Sequence, residues 1–232
     1  MKRGVFLALD FPDWKQATSF IQENGLEGVP VKVGMELFYR EGPQVIQRLK
    51  QNGHPIFLDL KLHDIPTTVK KAMRNLAVLG VDMVTVHALG GSEMIKQAKQ
   101  GLLEGGKTNA TLIAVTVLTS TDTNVMHSEL QIPGSVADEA IHLAKMAQNS
   151  GADGVVCAAS EAAMIKNACT NDFLTVTPGI RLEHSHADDQ KRVATPSEAI
   201  RNGADFLVIG RSVTLSENPK QAYEKVMEEI KK

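Results

Sequence analysis

The sequence predicts an α/β chain closed into a single (β/α)8 barrel, a TIM barrel that takes in residues 1–232 as one domain. Three observations predict it. Eight apolar runs of strand length recur along the chain, helix-length segments with an apolar stripe lie between them, and no linker, low-complexity stretch or composition break divides the 232 residues. The runs are near-continuous in apolar residues rather than alternating, as parallel strands covered on both faces are, and eight βα units favour closure over an open doubly wound sheet.

Taken in order, the first run is VFLALD at 5–10, five apolar residues ended by Asp10. VKVGM at 31–35 carries Lys32 among valines, and IFLDLKL at 56–62 carries Asp59 and Lys61 among leucines. MVTVHAL at 83–89 contains His87, LIAVTVL at 112–118 runs into Thr119-Ser120, and GVVCAA at 154–159 holds Cys157. LTVTPGI at 174–180 leads to Arg181, and FLVIGRSV at 206–213 contains Gly210-Arg211-Ser212. Helices are expected at 66–79, 92–103, 138–150 and 219–230, where apolar residues fall three and four apart. Gly80, Gly151 and Gly203 each follow a helical segment and precede Val-Asp or Ala-Asp, the place for a helix C-cap that turns into the next strand.

Composition excludes several functions. With 43% hydrophobic and 22% charged residues and a net charge of -2, the chain has no global basic field for nucleic acid or an anionic membrane. The apolar stretch after Met1-Lys2-Arg3 breaks at Asp10, too short for a signal segment or a membrane span, so a cytoplasmic protein is expected. Cys157 and Cys169 lack CxxC or CxxH spacing and read as reduced packing residues. The GxSxG, Walker A, GxGxxG and HExxH patterns are absent, which weighs against a triad hydrolase, a nucleotide kinase, a dinucleotide enzyme and a zinc protease.

Polar residues collect at the C-terminal ends of the expected strands, where barrels of this kind place active sites. The densest stretch is 57–66, FLDLKLHDIP. Strand alternation sends Asp59, Lys61 and, while the strand lasts, His63 to one face and Leu58, Leu60 and Leu62 to the other. Burying an uncompensated charge costs several kcal/mol, so carboxylates two residues before Lys61 and three after it suggest mutual compensation in an enclosed site. The competing reading is an interior salt bridge, with Asp64 capping the helix that starts at Ile65-Pro66.

Pro178-Gly179 and Gly210-Arg211 fall in the two loops where barrels build phosphate sites from backbone N–H groups, and Arg211 adds a bidentate cation. The long polar connection 181–195 reads as a lid, with Arg181 and Gln190 as ligand contacts and His184 and His186 as surface residues. His87, among apolar neighbours, reads as a hydrogen-bonded structural histidine, and no residue set is read as a metal site.

The run from Asp59 through Lys61 and Asp64 to Thr68, DLKLHDIPTT, resembles the signature of the orotidine 5'-phosphate decarboxylase family. Companion motifs agree in order: Leu9-Asp10, Lys32 in VKVG, Thr119-Ser120 after VTVL, TPGIR with Arg181, DDQ ending in Gln190, and IGR with Gly210-Arg211. The resemblance covers nearly the whole chain. It implies a catalytic domain that converts orotidine 5'-phosphate to uridine 5'-phosphate, the last step of de novo pyrimidine nucleotide synthesis, without metal or cofactor. By the same resemblance Lys61 is the proton donor and Asp59 its orienter, Asp10 and Lys32 bind the ribose hydroxyls, and Thr119 with Ser120 meets the pyrimidine edge. Arg181, Gln190, Gly210 and Arg211 would hold the phosphate, while Asp64 and Thr68 would serve the neighbouring subunit of a homodimer with shared active sites. Related sugar-phosphate decarboxylases and aldolases on this barrel share the DxKxxD pattern but hold Mg²⁺ with a strand-two glutamate; this chain has Lys32 there.

Overall fold

The computed structural model describes residues 4–106, 110–182 and 193–231. Its apolar runs become β1 (Gly4–Ala8), β2 (Val31–Val33), β3 (Ile56–Leu62), β4 (Met83–His87), β5 (Thr111–Val115), β6 (Gly154–Val156), β7 (Leu174–Thr177) and β8 (Phe206–Ile209). All pairings are parallel, and the sheet closes in the order β1 to β8, with Gly4 to Leu7 in register against Phe206 to Ile209. Most strands end earlier than the apolar runs do. Asp10 therefore lies past the end of β1, Thr119 past β5 and Gly210 just past β8, all in loops at the barrel mouth.

The helices are α1 (Trp14–Glu23), α2 (Met35–Glu41), α3 (Gln44–Gln51), α4 (Pro66–Val78), α5 (Gly91–Glu104), α6 (Val136–Asn149), α7 (Ala159–Ala168), α8 (Pro196–Arg201), α9 (Arg211–Thr214) and α10 (Pro219–Glu229). The four expected helices match α4, α5, α6 and α10 to within two residues at each end. Pro66, Pro196 and Pro219 open α4, α8 and α10 in the first turn, where a missing N–H costs nothing. Among the described residues no helix is long and apolar enough to cross a membrane.

Two apolar layers result. Leu58 and Leu60 point outward into the main core between strands and helices, whereas Phe57 points into the barrel with Phe6 and Phe206. The Phe6 ring lies 5.4 Å from Phe57 and 5.7 Å from Phe206, centroid to centroid, so aromatic side chains fill the lower barrel. Inside the barrel, space for a ligand is left above them, toward the C-terminal ends of the strands. One outer contact is unusually close: a Cβ on Gly101 of α5 would come within 2.2 Å of the Lys70 carbonyl oxygen, so glycine lets α5 lie against the α4 backbone.

The opposite face of the barrel repeats one device three times. Gly80, Gly151 and Gly203 take φ of +73°, +90° and +94°, as expected of helix C-caps, and the aspartates that follow do more. Asp82, Asp153 and Asp205 stand directly before β4, β6 and β8, and each donates its backbone N–H to a residue of the preceding strand, Ile56, Leu112 or Thr175, at 2.8–3.0 Å. Each carboxylate accepts that same residue's N–H, at 2.7, 2.7 and 2.9 Å. A lysine from the helix ahead of that strand, Lys50, Lys99 or Lys166, pairs with the carboxylate at 3.3, 2.7 and 2.6 Å. At the β1–β2 pair, where Leu7 is in register with Val31, the aspartate's place is held by Pro30, which has neither an N–H nor a carboxylate.

Candidate active site

The site is built around an irregularity in β3. Leu58 is in register with Val84 and Leu62 with Val86, so Asp59, Leu60 and Lys61 together face a single β4 residue, Thr85. The bulge puts Lys61 in the left-handed region at φ +52°, rare for a residue with a side chain. Lys61 Nζ donates to Asp59 Oδ2 at 2.9 Å. The Thr85 hydroxyl fills the gap, donating to Asp59 Oδ1 at 3.0 Å and accepting the Lys61 backbone N–H at 2.8 Å.

Asp59 and Lys61 face a cavity of about 260 Å³ at the barrel mouth, floored by Phe57 and Val208 and walled by Val115 and Val156. Asp10 and Lys32 also line it, joined at 3.1 Å. Gly34 makes room for that pair, since a Cβ there would lie 3.1 Å from Lys32 Nζ and 3.4 Å from Asp10 Oδ1. Gly179 and Arg181 from the segment after β7, Gly210 after β8, Arg211 at the start of α9 and Thr119 from the loop after β5 also line the cavity. Arg181 is nearly buried at 8% exposure, and its Nη1 donates to the Ile180 carbonyl at 3.1 Å. The long connection is tied at its root: the Arg181 N–H donates to Ala194 O, and the Ala194 N–H to Gly179 O.

Eight of the twelve residues to which the resemblance gives a role thus share one cavity: Asp10, Lys32, Asp59, Lys61, Thr119, Arg181, Gly210 and Arg211. Ser120, Asp64 and Thr68 do not line it; all three are exposed. Asp64 does not cap α4 either, because Ile65 is the residue at that cap and Asp64 Oδ1 accepts the adjacent Ile65 N–H, at 2.7 Å. Gln190, His184 and His186 lie outside the described residues.

The alternation that aims Asp59 and Lys61 inward fails for His63. After the bulge His63 is exposed and stacks on His87, with ring centroids 5.6 Å apart. His87 has the structural role expected of it: Nδ1 accepts the Leu89 N–H at 3.3 Å and caps the 3-10 turn Ala88–Gly90. Burial, then the neighbouring His63 and Lys61, hold the His87 imidazole below its ordinary pKa. Cys157 is buried as a packing residue should be, but it is also part of the cavity wall. Thr85 was missed in the sequence, where a lone threonine in an apolar strand was the available signal; Gly34 was quoted there only as part of the VKVG motif, without a role.

A family model described as "Orotidine 5'-phosphate decarboxylase / HUMPS family" matches residues 4–226. The chain belongs to the orotidine 5'-phosphate decarboxylase / HUMPS family. It is 51% identical to the orotidine 5'-phosphate decarboxylase of Bacillus cytotoxicus, over 99% of this chain and 98% of that one. Its fold superimposes on the crystal structure of the orotidine 5'-phosphate decarboxylase from Lactobacillus acidophilus with a TM-score of 0.90 at 44% identity, covering 99% of this chain and 100% of that one. The Pyrococcus horikoshii enzyme of the same name shares the fold at a TM-score of 0.76 and 22% identity, covering 98% of this chain and 99% of that one. For the decarboxylase branch of the family the informative feature is β2, which brings a lysine, not a carboxylate, to the cavity.

Proposed function

We propose that this chain decarboxylates orotidine 5'-phosphate to uridine 5'-phosphate, with Lys61 as the proton donor. The observation that carries the reading is the Asp59–Lys61 pair, closed at 2.9 Å and turned into a cavity that also holds Arg211. Breaking the bond between C6 and the carboxylate releases CO₂ and leaves its electron pair on C6, in an orbital the pyrimidine ring delocalises poorly. An ammonium fixed beside C6 stabilises that charge as it develops and then transfers a proton to it, leaving a neutral amine that solvent reprotonates. The Asp59 carboxylate, near the substrate carboxylate, disfavours the ground state more than the transition state.

Position supports the remaining proposed roles. Asp10 and Lys32 suit the ribose hydroxyls, Thr119 rather than the exposed Ser120 suits the pyrimidine edge, and Arg181, Gly210 and Arg211 suit the phosphate. Gln190 is assigned to the phosphate on its motif alone. We further infer a cytoplasmic homodimer: Asp64 and Thr68 lie outside their own cavity, and Ile65 beside them is 68% exposed, as expected of a segment that completes the partner's site. A Mg²⁺-dependent sugar-phosphate lyase is the weaker reading, because Lys32 sits at β2 and is paired with Asp10.

The test is to treat the purified protein with EDTA, add orotidine 5'-phosphate and follow the loss of orotate absorbance. Turnover should persist, and activity that returns only with Mg²⁺ would favour the lyase. Lys61→Ala should nearly abolish turnover yet still bind uridine 5'-phosphate. A rate within about tenfold of wild type, a barrier change of about 1.4 kcal/mol or less, would remove Lys61 from the role of proton donor. Arg211→Ala should raise KM for the phosphorylated substrate and leave turnover of the nucleoside orotidine nearly unchanged; equal damage to both would refute the phosphate assignment.

A further inference from the structure

The Thr85 hydroxyl is in an unusual position: it alone faces the three residues of the β3 bulge, and it touches both members of the acid–lysine pair. We propose that Thr85 is a positioning residue for the reaction, its single hydroxyl locking the Asp59 carboxylate to the Lys61 backbone so that the ammonium is held at one place in the cavity. The inference rests on the decarboxylase reading and names a residue that reading does not use, since Thr85 does not line the cavity.

Hydrogen-bond direction makes the lock specific. An amide N–H can only donate and a carboxylate oxygen can only accept, so the hydroxyl must accept from Lys61 and donate to Asp59, which uses its one proton. Neither contact can be replaced cheaply. Thr85 has no exposed surface, so bulk water does not take the hydroxyl's place, and an N–H left unpaired there costs stability. The two contacts also act on different parts of the pair. One holds Lys61 where its backbone is left-handed, which fixes the direction in which the side chain leaves β3; the other fixes the second oxygen of Asp59 while the first holds Nζ at 2.9 Å. Removing the hydroxyl frees both at once, so the ammonium loses its aim.

The substitution Thr85→Val keeps the branched shape and deletes the hydroxyl, whereas Thr85→Ser keeps the hydroxyl and deletes a methyl group. Because misplacing a reacting group by about 1 Å can cost roughly a hundredfold, kcat for orotidine 5'-phosphate should fall about ten- to a hundredfold in Thr85→Val. Its affinity for uridine 5'-phosphate should stay within about threefold of wild type, and Thr85→Ser should recover kcat to within about threefold. The decisive measurement combines Thr85→Val with Lys61→Ala: a residue that acts through Lys61 adds nothing once the ammonium is gone, so the double variant should match the residual rate of Lys61→Ala. Equal loss in the Ser and Val variants, loss confined to KM, or a further drop in the double variant would each overturn the proposal. If Thr85→Val does not fold, Thr85→Ala is read against Thr85→Ser by the same criteria. Wild-type protein that binds uridine 5'-phosphate but does not turn over orotidine 5'-phosphate would instead overturn the decarboxylase reading itself.

Discussion

Lys61 occupies a backbone conformation that glycine would adopt more readily, at a strain of about 1–2 kcal/mol for a residue with a side chain. Stability and activity should therefore separate at this position: Lys61→Gly should be more stable than Lys61→Ala by about 1 kcal/mol in urea denaturation, with both inactive. Equal midpoints would mean that the bulge relaxes when the lysine is lost. His87 makes a second separable contribution. Its pKa is lowered on folding, chiefly by burial, so between the folded value and the ordinary 6.5 the unfolded chain binds more protons and stability rises with pH. That contribution is complete above pH 6.5 and is lost as the pH falls through the folded value. The stability advantage of wild type over His87→Asn should shrink as the pH falls below 6.5 in urea titrations, and a constant difference would contradict it. Period-two alternation was enough to read Asp59 and Lys61 as facing one way, but the left-handed turn at Lys61 has no signature in residue type, and so neither the outward course of His63 nor the part played by Thr85 was legible.

Among the elements, the α4–α5 pair has the least slack. A methyl group on Gly101 would strike the Lys70 backbone at 2.2 Å, and one on Gly105 would meet the Ala77 Cβ at 2.3 Å, so the helices would have to separate. Overpacking of this kind costs about 1–3 kcal/mol, and Gly101→Ala should lower the thermal midpoint by several degrees. Because α4 follows directly from Asp64 and carries Thr68, the same substitution should also weaken whatever those residues contribute to a partner's site. An unchanged midpoint would show that α5 can shift freely. Hydrophobic periodicity revealed that strands and helices exist because it records which faces are covered. It overran the ends of β5 and β7, where apolar residues continue past the ladder into the cavity wall, and it is silent on Gly101, since a helix-interior glycine reads as a weak spot until the neighbouring backbone is known.

For the whole molecule, the shared-site proposal gives a quantitative expectation. If Asp64 serves the partner's cavity, Lys61→Ala and Asp64→Ala homodimers are both inactive, but their hybrid has one doubly defective site and one intact site. Co-refolding equal amounts makes half the dimers hybrid, so activity should return to about a quarter of wild type under two-fold symmetry. No recovery despite hybrids confirmed by differential tags would sink the shared site. The three aspartate–lysine devices have a dynamic consequence. They fasten β3 to β4, β5 to β6 and β7 to β8, whereas β1 and β2, with Pro30 in the aspartate's place, share a two-residue register without that device, so the closed barrel has a seam. Hydrogen–deuterium exchange should find the amides of β2 the first strand amides to open in mild denaturant. Asp59 and Lys61 ride on a fastened pair of strands, and Asp10 and Lys32 straddle the seam. The proposed proton donor is thus mounted on a fastened pair of strands and the proposed sugar contacts across the unfastened one, so a bound nucleotide should slow exchange most along β1 and β2.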